Sequence, residues 1–224
     1  MALPTHSQAA GSCSEPLLDA TIGQAFDSTA ARFPEVEALV VRHQGIRWTY
    51  AEYLREIEKL AAGLLALGIG AGDRVGIWSP HGYEWCLTQF ATAKIGAILV
   101  NINPAYRVFE LEYALKKSGC RAVIAAEQFK SSHYLEMLSY LAPELTICAP
   151  GRLHAQKLPQ LETVIRMGAG RTPGAASARP AASGRGPRGS SHPAATAGRR
   201  TGPGMRVSDL FAFCSAKGTA VCAR

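Results

Sequence analysis

Past Met167 this sequence loses the means to build a core. Gly, Ala, Pro and Arg make up 30 of the 39 residues from 168 to 206, and none of the 39 is acidic. Such a stretch buries too little apolar surface to offset the entropy of ordering its backbone. Residues 167–207 are therefore expected to form a disordered tail, and 208–224 a short piece with one apolar run, DLFAF. Residues 1–15 are expected to be a flexible N-terminus. What folds must lie within 16–166, roughly 150 residues, enough for one domain with its own core.

The charge divides at the same place. Residues 1–162 carry 14 Lys and Arg against 16 Asp and Glu, whereas 163–224 carry 10 basic residues and a single acid, Asp209. The net charge of +7 thus belongs to the tail, and the foldable part has no nucleic-acid or membrane footprint of its own. Cys13, Cys86, Cys120, Cys148, Cys214 and Cys222 include no C-x-x-C pair, so neither a zinc site nor a disulfide framework is indicated. The longest apolar run, 90–100, is broken by Lys94 and is too short to span a bilayer. No Lys or Arg precedes Arg32, which fits neither a secretory signal nor a mitochondrial presequence. A cytoplasmic location is expected, with a mitochondrial one as the alternative.

Strand and helix patterns alternate through 21–141. Residues 21–33 place Ile22, Ala25, Phe26, Thr29, Ala30 and Phe33 on one helical face, and Pro34 ends it. Residues 37–42 and 46–49 read as a hairpin around His43-Gln44-Gly45. Thr49 and Glu52 form a capping box for a helix to about residue 67, with Leu54, Ile57, Leu60, Ala61, Leu64 and Leu65 inward and Gly68 as its stop. There follow a strand at 74–78, a helix at 83–94, a buried strand at 97–101, a helix at 110–118, a strand at 121–126 and a helix at 128–141. Alternation of this length implies right-handed crossovers, hence an α/β fold with a largely parallel sheet flanked by helices.

Few residues in this pattern carry chemistry. Gly68-Ile69-Gly70-Ala71-Gly72 follows a helix and precedes a strand, the reverse of a phosphate cradle, and reads as a helix stop and turn. Neither a P-loop, a G-x-S-x-G elbow nor an H-E-x-x-H helix occurs. His43 and His81 fall in turns, where side chains face solvent. Lys116-Lys117 suits a helix C-terminus, and Glu110 an N-terminus. Glu110 and Glu112, two apart, do not share a face. Trp78, Tyr83, Trp85 and Phe90 gather near one strand end, as core packing or, alternatively, as the wall of an apolar cleft. Asn103-Pro104 reads as strand-end architecture.

Several stretches together resemble a known family. TYAEY, LAAGLLALGIGAGDRVGIW and VNINPAYRVFELEYALKKSGC resemble the N-terminal part of adenylate-forming (AMP-binding) enzymes, on the branch of the fatty-acid–CoA ligases, over about 16–166. The resemblance implies the N-terminal subdomain of the adenylate-forming fold and a two-step reaction. A carboxylate attacks the α-phosphorus of ATP with Mg²⁺ assistance, and the CoA thiol then displaces AMP. It also implies an S-G-T-T-G-x-P-K-G loop, a Y-G-x-T-E segment, a ribose-binding aspartate and a lysine on a C-terminal domain. None of these motifs occurs in the sequence, so no catalytic, cofactor-binding or metal residue is assigned. The chain is expected to be an inactive N-terminal fragment of an ATP-dependent fatty-acid–CoA ligase, its partners in the complete enzyme being fatty acid, ATP and CoA.

Two alternatives follow from the tail and the fragment. Gly, Ala, Pro and Arg codons are rich in G and C, so a shifted reading frame gives this composition. If the tail is genuine, Arg185, Arg188, Arg199 and Arg200 would make the chain an α/β binding module with a basic nucleic-acid arm, holding phosphates without aromatic stacking. A fragment would also leave apolar faces and open sheet edges. It is therefore expected to be marginally stable, aggregation-prone, or paired with synthetase subunits.

Overall fold

The computed structural model describes residues 18–149 and 151–168. The expected flexible N-terminus at 1–15, the tail beyond Gly168 and the 208–224 piece lie outside the described residues.

Helix α1 (Ile22–Arg32) opens the fold on a capping box in which Thr21 and Gln24 bond each other's backbone amides. The hairpin β1 (Glu37–Val41) and β2 (Ile46–Thr49) is antiparallel, closed by a 3-10 turn at Arg42–Gln44. Thr49 and Glu52 then cap α2 (Tyr50–Ala66), as the sequence predicts. The chain continues as β3 (Arg74–Trp78), α3 (Tyr83–Ile95), β4 (Ile98–Asn101), α4 (Val108–Ser118) and β5 (Ala122–Ala125). A small hairpin, β6 (Gln128–Phe129) and β7 (Ser132–His133), leads into α5 (Tyr134–Leu141), and β8 (Thr163–Arg166) ends the described fold. The central sheet has the order β4-β3-β5-β8 and every pairing is parallel.

Both faces of that sheet are covered, which explains its continuous apolar strands. Alternation sends Val75, Ile77, Ala122, Ile124 and Ile165 into a core shared with α1, α2 and α3. It sends Trp78, Val123, Ala125 and Val164 into a second core shared with α4 and α5. Gly76 faces the second core. A Cβ there would meet Ile102 Cδ1 at 2.9 Å and Cys120 Sγ at 3.3 Å, so the second core is packed tightly against the bare glycine backbone.

Four expectations need correction. Residues 128–133 form a hairpin rather than the start of a helix. QFKSSH has no apolar stripe, Lys130 takes φ +52°, and the helix begins where Tyr134, Leu135, Leu138 and Leu141 supply a buried face. β4 is an edge strand, not a buried one, because the next crossover passes over β3 and places β5 on its far side. Ile22, Phe33 and Leu65 are exposed; Gly23, Tyr53 and Gly63 take their places on the inner helix faces, where close helix crossings favour glycine and Tyr53 fills an aromatic cluster. Trp78 packs on the opposite side of the sheet from Tyr83 and Phe90, since its strand parity differs from that of the helix above. β8 was not marked by any sequence pattern.

Candidate functional site at the carboxyl end of the sheet

In an open parallel sheet, ligands bind beyond the carboxyl ends of the strands, where neighbouring connections leave in opposite directions. Here that point lies between β3 and β5. The connection from β3 returns through α3 to β4, whereas that from β5 runs through α5 to β8 on the other face.

Four segments meet at this rim. After β3 come Ser79-Pro80-His81-Gly82; Ser79 is buried and donates its Oγ to the Pro80 carbonyl at 2.9 Å. His81 is exposed, its ring 5.6 Å from that of Trp85. After β4, Asn103 and Pro104 serve as acceptors. Trp78 Nε1 donates to the Asn103 carbonyl at 3.1 Å and the Tyr134 hydroxyl to the Pro104 carbonyl at 2.7 Å. Trp78 and Tyr134 stack with centroids 4.1 Å apart, a rigid aromatic floor under the rim. After β5, the Ala126 amide donates to the Trp78 carbonyl at 3.2 Å, which carries the pairing past the strand ends. At the end of β8 the buried Arg166 donates Nη2 to the carboxylate of Glu127, itself 63% exposed. Arginine and carboxylate thus stand together at the crevice.

The amino terminus of α3 also points here, but it is occupied. Its N-cap, Gly82, has no side chain to offer. Gln44 of the β1–β2 turn supplies the missing group, its Oε1 accepting from the Tyr83 amide at 2.8 Å and its Nε2 donating to Glu84 at 2.8 Å. An anion could take the Tyr83 amide only by displacing Gln44.

The residues weighed from sequence are distributed as follows. The glycines of GIGAG lie at the opposite, amino end; Gly68 has φ +80°, and the Gly70 amide donates to Asp73 at 2.8 Å, a helix stop and turn as read. His43 is exposed on the hairpin turn, as read. Lys116 pairs with Glu112 along α4 at 2.5 Å, and Glu110 accepts from the Arg107 amide at the helix start. Asn103-Pro104 holds the strand end, as expected. Burial pushes the thiols of Cys86, Cys120 and Cys148 above their ordinary range, which disfavours the nucleophilic thiolate. Among the described residues no three His, Cys, Asp or Glu side chains gather as a metal site, and no helix is long and apolar enough to cross a membrane. Ser79, Glu127 and Arg166 were missed by sequence reasoning. They sit one or two residues beyond or at strand ends, a signal that becomes readable only once strand order is known.

Comparison with known proteins places these elements in context. The AMP-binding enzyme family matches residues 26–182. A medium-chain acyl-CoA ligase, ACSF2, mitochondrial, of Danio rerio is 49% identical over 161 residues, 72% of this chain and 27% of that protein. Its Homo sapiens counterpart is 49% identical over 149 residues, 66% of this chain and 24% of that one. The chain therefore spans about a quarter of the length of these relatives. Among solved structures, a Mycobacterium tuberculosis fatty acyl CoA synthetase superposes with a TM-score of 0.55 at 27% identity, covering 65% of this chain and 26% of that one. The N-terminal domain of FACL13 from the same organism gives 0.55 at 26% identity, with 66% and 34% covered.

Proposed function

This chain belongs to the AMP-binding enzyme family, and on that footing we propose that it is the amino-terminal region of an ATP-dependent fatty-acid–CoA ligase, a scaffold that does not complete the reaction alone. The observation that supports this most directly is the 49% identity to a medium-chain acyl-CoA ligase, which spans 161 residues of this chain. Identity at that level across both cores and the four-stranded sheet supports this reading of architecture and substrate class.

Among the described residues no three His, Cys, Asp or Glu side chains gather. At the start of α3 the Tyr83 amide is held by Gln44. No step through the nucleotide is therefore assigned to this chain. Its own residues fix the crevice instead: Trp78 and Tyr134 set the floor, Gln44 fixes the β3–α3 loop, and Glu127 holds Arg166 at the end of β8. ATP, Mg²⁺, CoA and a fatty acid are the ligands proposed for the complete enzyme.

The test has two arms. The full chain, given dodecanoate, ATP, Mg²⁺ and CoA, is expected to yield neither thioester nor AMP; either product overturns the incompetence. A chimera in which residues 21–166 replace the matching region of the Danio rerio ligase is expected to form acyl-CoA. A folded but inactive chimera overturns the assignment. The location proposed is cytoplasmic, in competition with the mitochondrial one that the relatives' names carry; uptake of the labelled chain by isolated mitochondria decides between them.

A further inference from the structure

Arg166 is a buried cation whose carboxylate partner is not buried with it. By the parallel register Trp78, Ala125 and Arg166 stand in one row across β3, β5 and β8, on the face that also holds Val164. The Arg166 side chain is 4% exposed, whereas Glu127, which accepts from its Nη2, is 63% exposed. Taking a guanidinium out of water is costly unless its charge is met in close contact. Glu127 meets it from the solvent side, so a route by which an oxyanion reaches Nη2 exists and Glu127 fills it. A solvated glutamate holds such a place weakly, because water competes for its oxygens and its rotamer freedom is lost.

The backbone about the pair is fixed, which leaves the side chain of Glu127 as the movable part. The Tyr134 amide donates to the Glu127 carbonyl at 3.0 Å, the Ala126 amide to the Trp78 carbonyl at 3.2 Å and the Met167 amide to the Ala125 carbonyl at 2.8 Å. Swinging the carboxylate outward is a side-chain rotation and breaks none of these bonds. A guanidinium presents a planar fork of donors, which matches two oxygens of a carboxylate or of a phosphate.

We propose that Arg166 is the anion-binding group of the crevice, and that an incoming oxyanion, a carboxylate or a phosphate, takes the place of Glu127 on its guanidinium. Glu127 is then an internal competitor. It holds the cation in the absence of ligand, and it lowers the apparent affinity for the ligand by the fraction of time it occupies Nη2. No covalent bond forms or breaks in the exchange; one ion pair replaces another. The inference rests on the crevice and not on the ligase reading. Acyl-CoA formation by the chimera bears on the ligase reading alone, so either can fall without the other.

The experiment is an NMR titration of the isotope-labelled full chain, at fixed ionic strength, with inorganic phosphate and separately with hexanoate. The readouts are the Arg166 Nε–H signal and the Glu127 and Met167 amides, which separate this site from anion uptake by the arginines beyond Gly168. A saturable shift with at least one of the two anions is expected, and the anion that produces it names the source of the oxyanion. Glu127→Gln removes the competing charge, keeps the shape and is expected to tighten binding about tenfold. Arg166→Lys keeps the charge without the fork and is expected to weaken binding about tenfold. If Arg166→Lys fails to fold, Glu127→Gln decides. The absence of a saturable shift in both wild type and Glu127→Gln overturns the proposal. So does a Glu127→Gln variant that binds no more tightly than wild type, as a purely structural ion pair requires, or a folded Arg166→Lys variant with unchanged affinity.

Discussion

The two ends of the parallel sheet treat their charges differently. At the amino end Arg121 donates to Glu162 at 2.9 Å, to Asp73 at 2.8 Å and to the Gly68 carbonyl at 2.8 Å, tying β5, the turn after α2 and the approach to β8 into one knot. At the carboxyl end the guanidinium of Arg166 is buried against Glu127, while His81 stands exposed and the rim is built from loops. The first arrangement uses charge to hold elements together. The second keeps charge beside a crevice, where a ligand can reach Glu127 and the loop after β3. The expectation is that damage to the amino end costs stability alone, whereas the rim of the carboxyl end tolerates change that its aromatic floor does not.

The largest effect should come from that floor. Trp78 is fully buried, stacks on Tyr134 and donates to Asn103. Trp78→Ala removes an aromatic side chain from a closed core and is expected to cost about 3–5 kcal/mol. Urea unfolding followed by far-UV circular dichroism measures it. A loss under about 1.5 kcal/mol would mean that the floor collapses easily and that the carboxyl end is not rigid.

Next comes the amino-end knot. Arg121→Met is expected to cost about 2 kcal/mol, discounted because Arg121 is one third exposed. Its pH signature is more telling. The Asp73 carboxyl sits below its ordinary range, first because the Gly70 amide donates to it and then because Arg121 does. A carboxyl whose folded pKa is lowered stabilises the fold above its unfolded pKa, and that contribution is lost as pH falls through the folded value. Wild-type stability should therefore decline on the acid side. In the variant the decline should be shallower but not absent, since Gly70 still donates. Denaturation midpoints taken between neutral pH and the acid limb decide; identical slopes would show that Arg121 contributes nothing to the Asp73 shift.

How much of this was legible beforehand depended on distance along the chain. Local codes were readable: the capping box at Thr49, the glycine stops after α2 and α4, and the hairpin around Gly45. The Thr21 box was found only in the structure, although its Gln24 partner was in view. What failed were features fixed by neighbours far away in sequence. β4 and β3 have equally apolar sequences, and only strand order makes one an edge and the other central. Trp78 and Phe90 lie 12 positions apart yet face different cores, because the strand alternates every residue and the helix does not. The helical reading of 128–141 failed where six polar or isolated residues were lent a period that began only at Tyr134. The site suffered most, since its residues come from the ends of separate strands. The family was legible because its signature is a string of adjacent residues, while the crevice is a meeting of distant ones.

Gln44→Ala should cost about 1 kcal/mol, the usual worth of a helix cap. Gln44 sits 39 residues from the amide it caps, so the loss also frees the hairpin turn from the β3–α3 loop. Amide exchange at Tyr83 should accelerate while exchange within β5 stays slow. Equal acceleration in both would indicate global destabilisation and not a local latch.

The smallest effect should be at the rim itself. His81→Ala is expected to change stability by less than about 0.5 kcal/mol, because the side chain is exposed. Its ring lies 5.6 Å from Trp85, a contact too open to exclude water. For a domain of this size the thermal midpoint should move by no more than about 2 °C. A larger fall would mean that His81 helps hold the β3–α3 loop, and the carboxyl end would then resemble the amino end more than its exposure implies. A negligible one leaves the rim as a surface that the fold does not need for itself, which is the condition for residues to be available to a ligand.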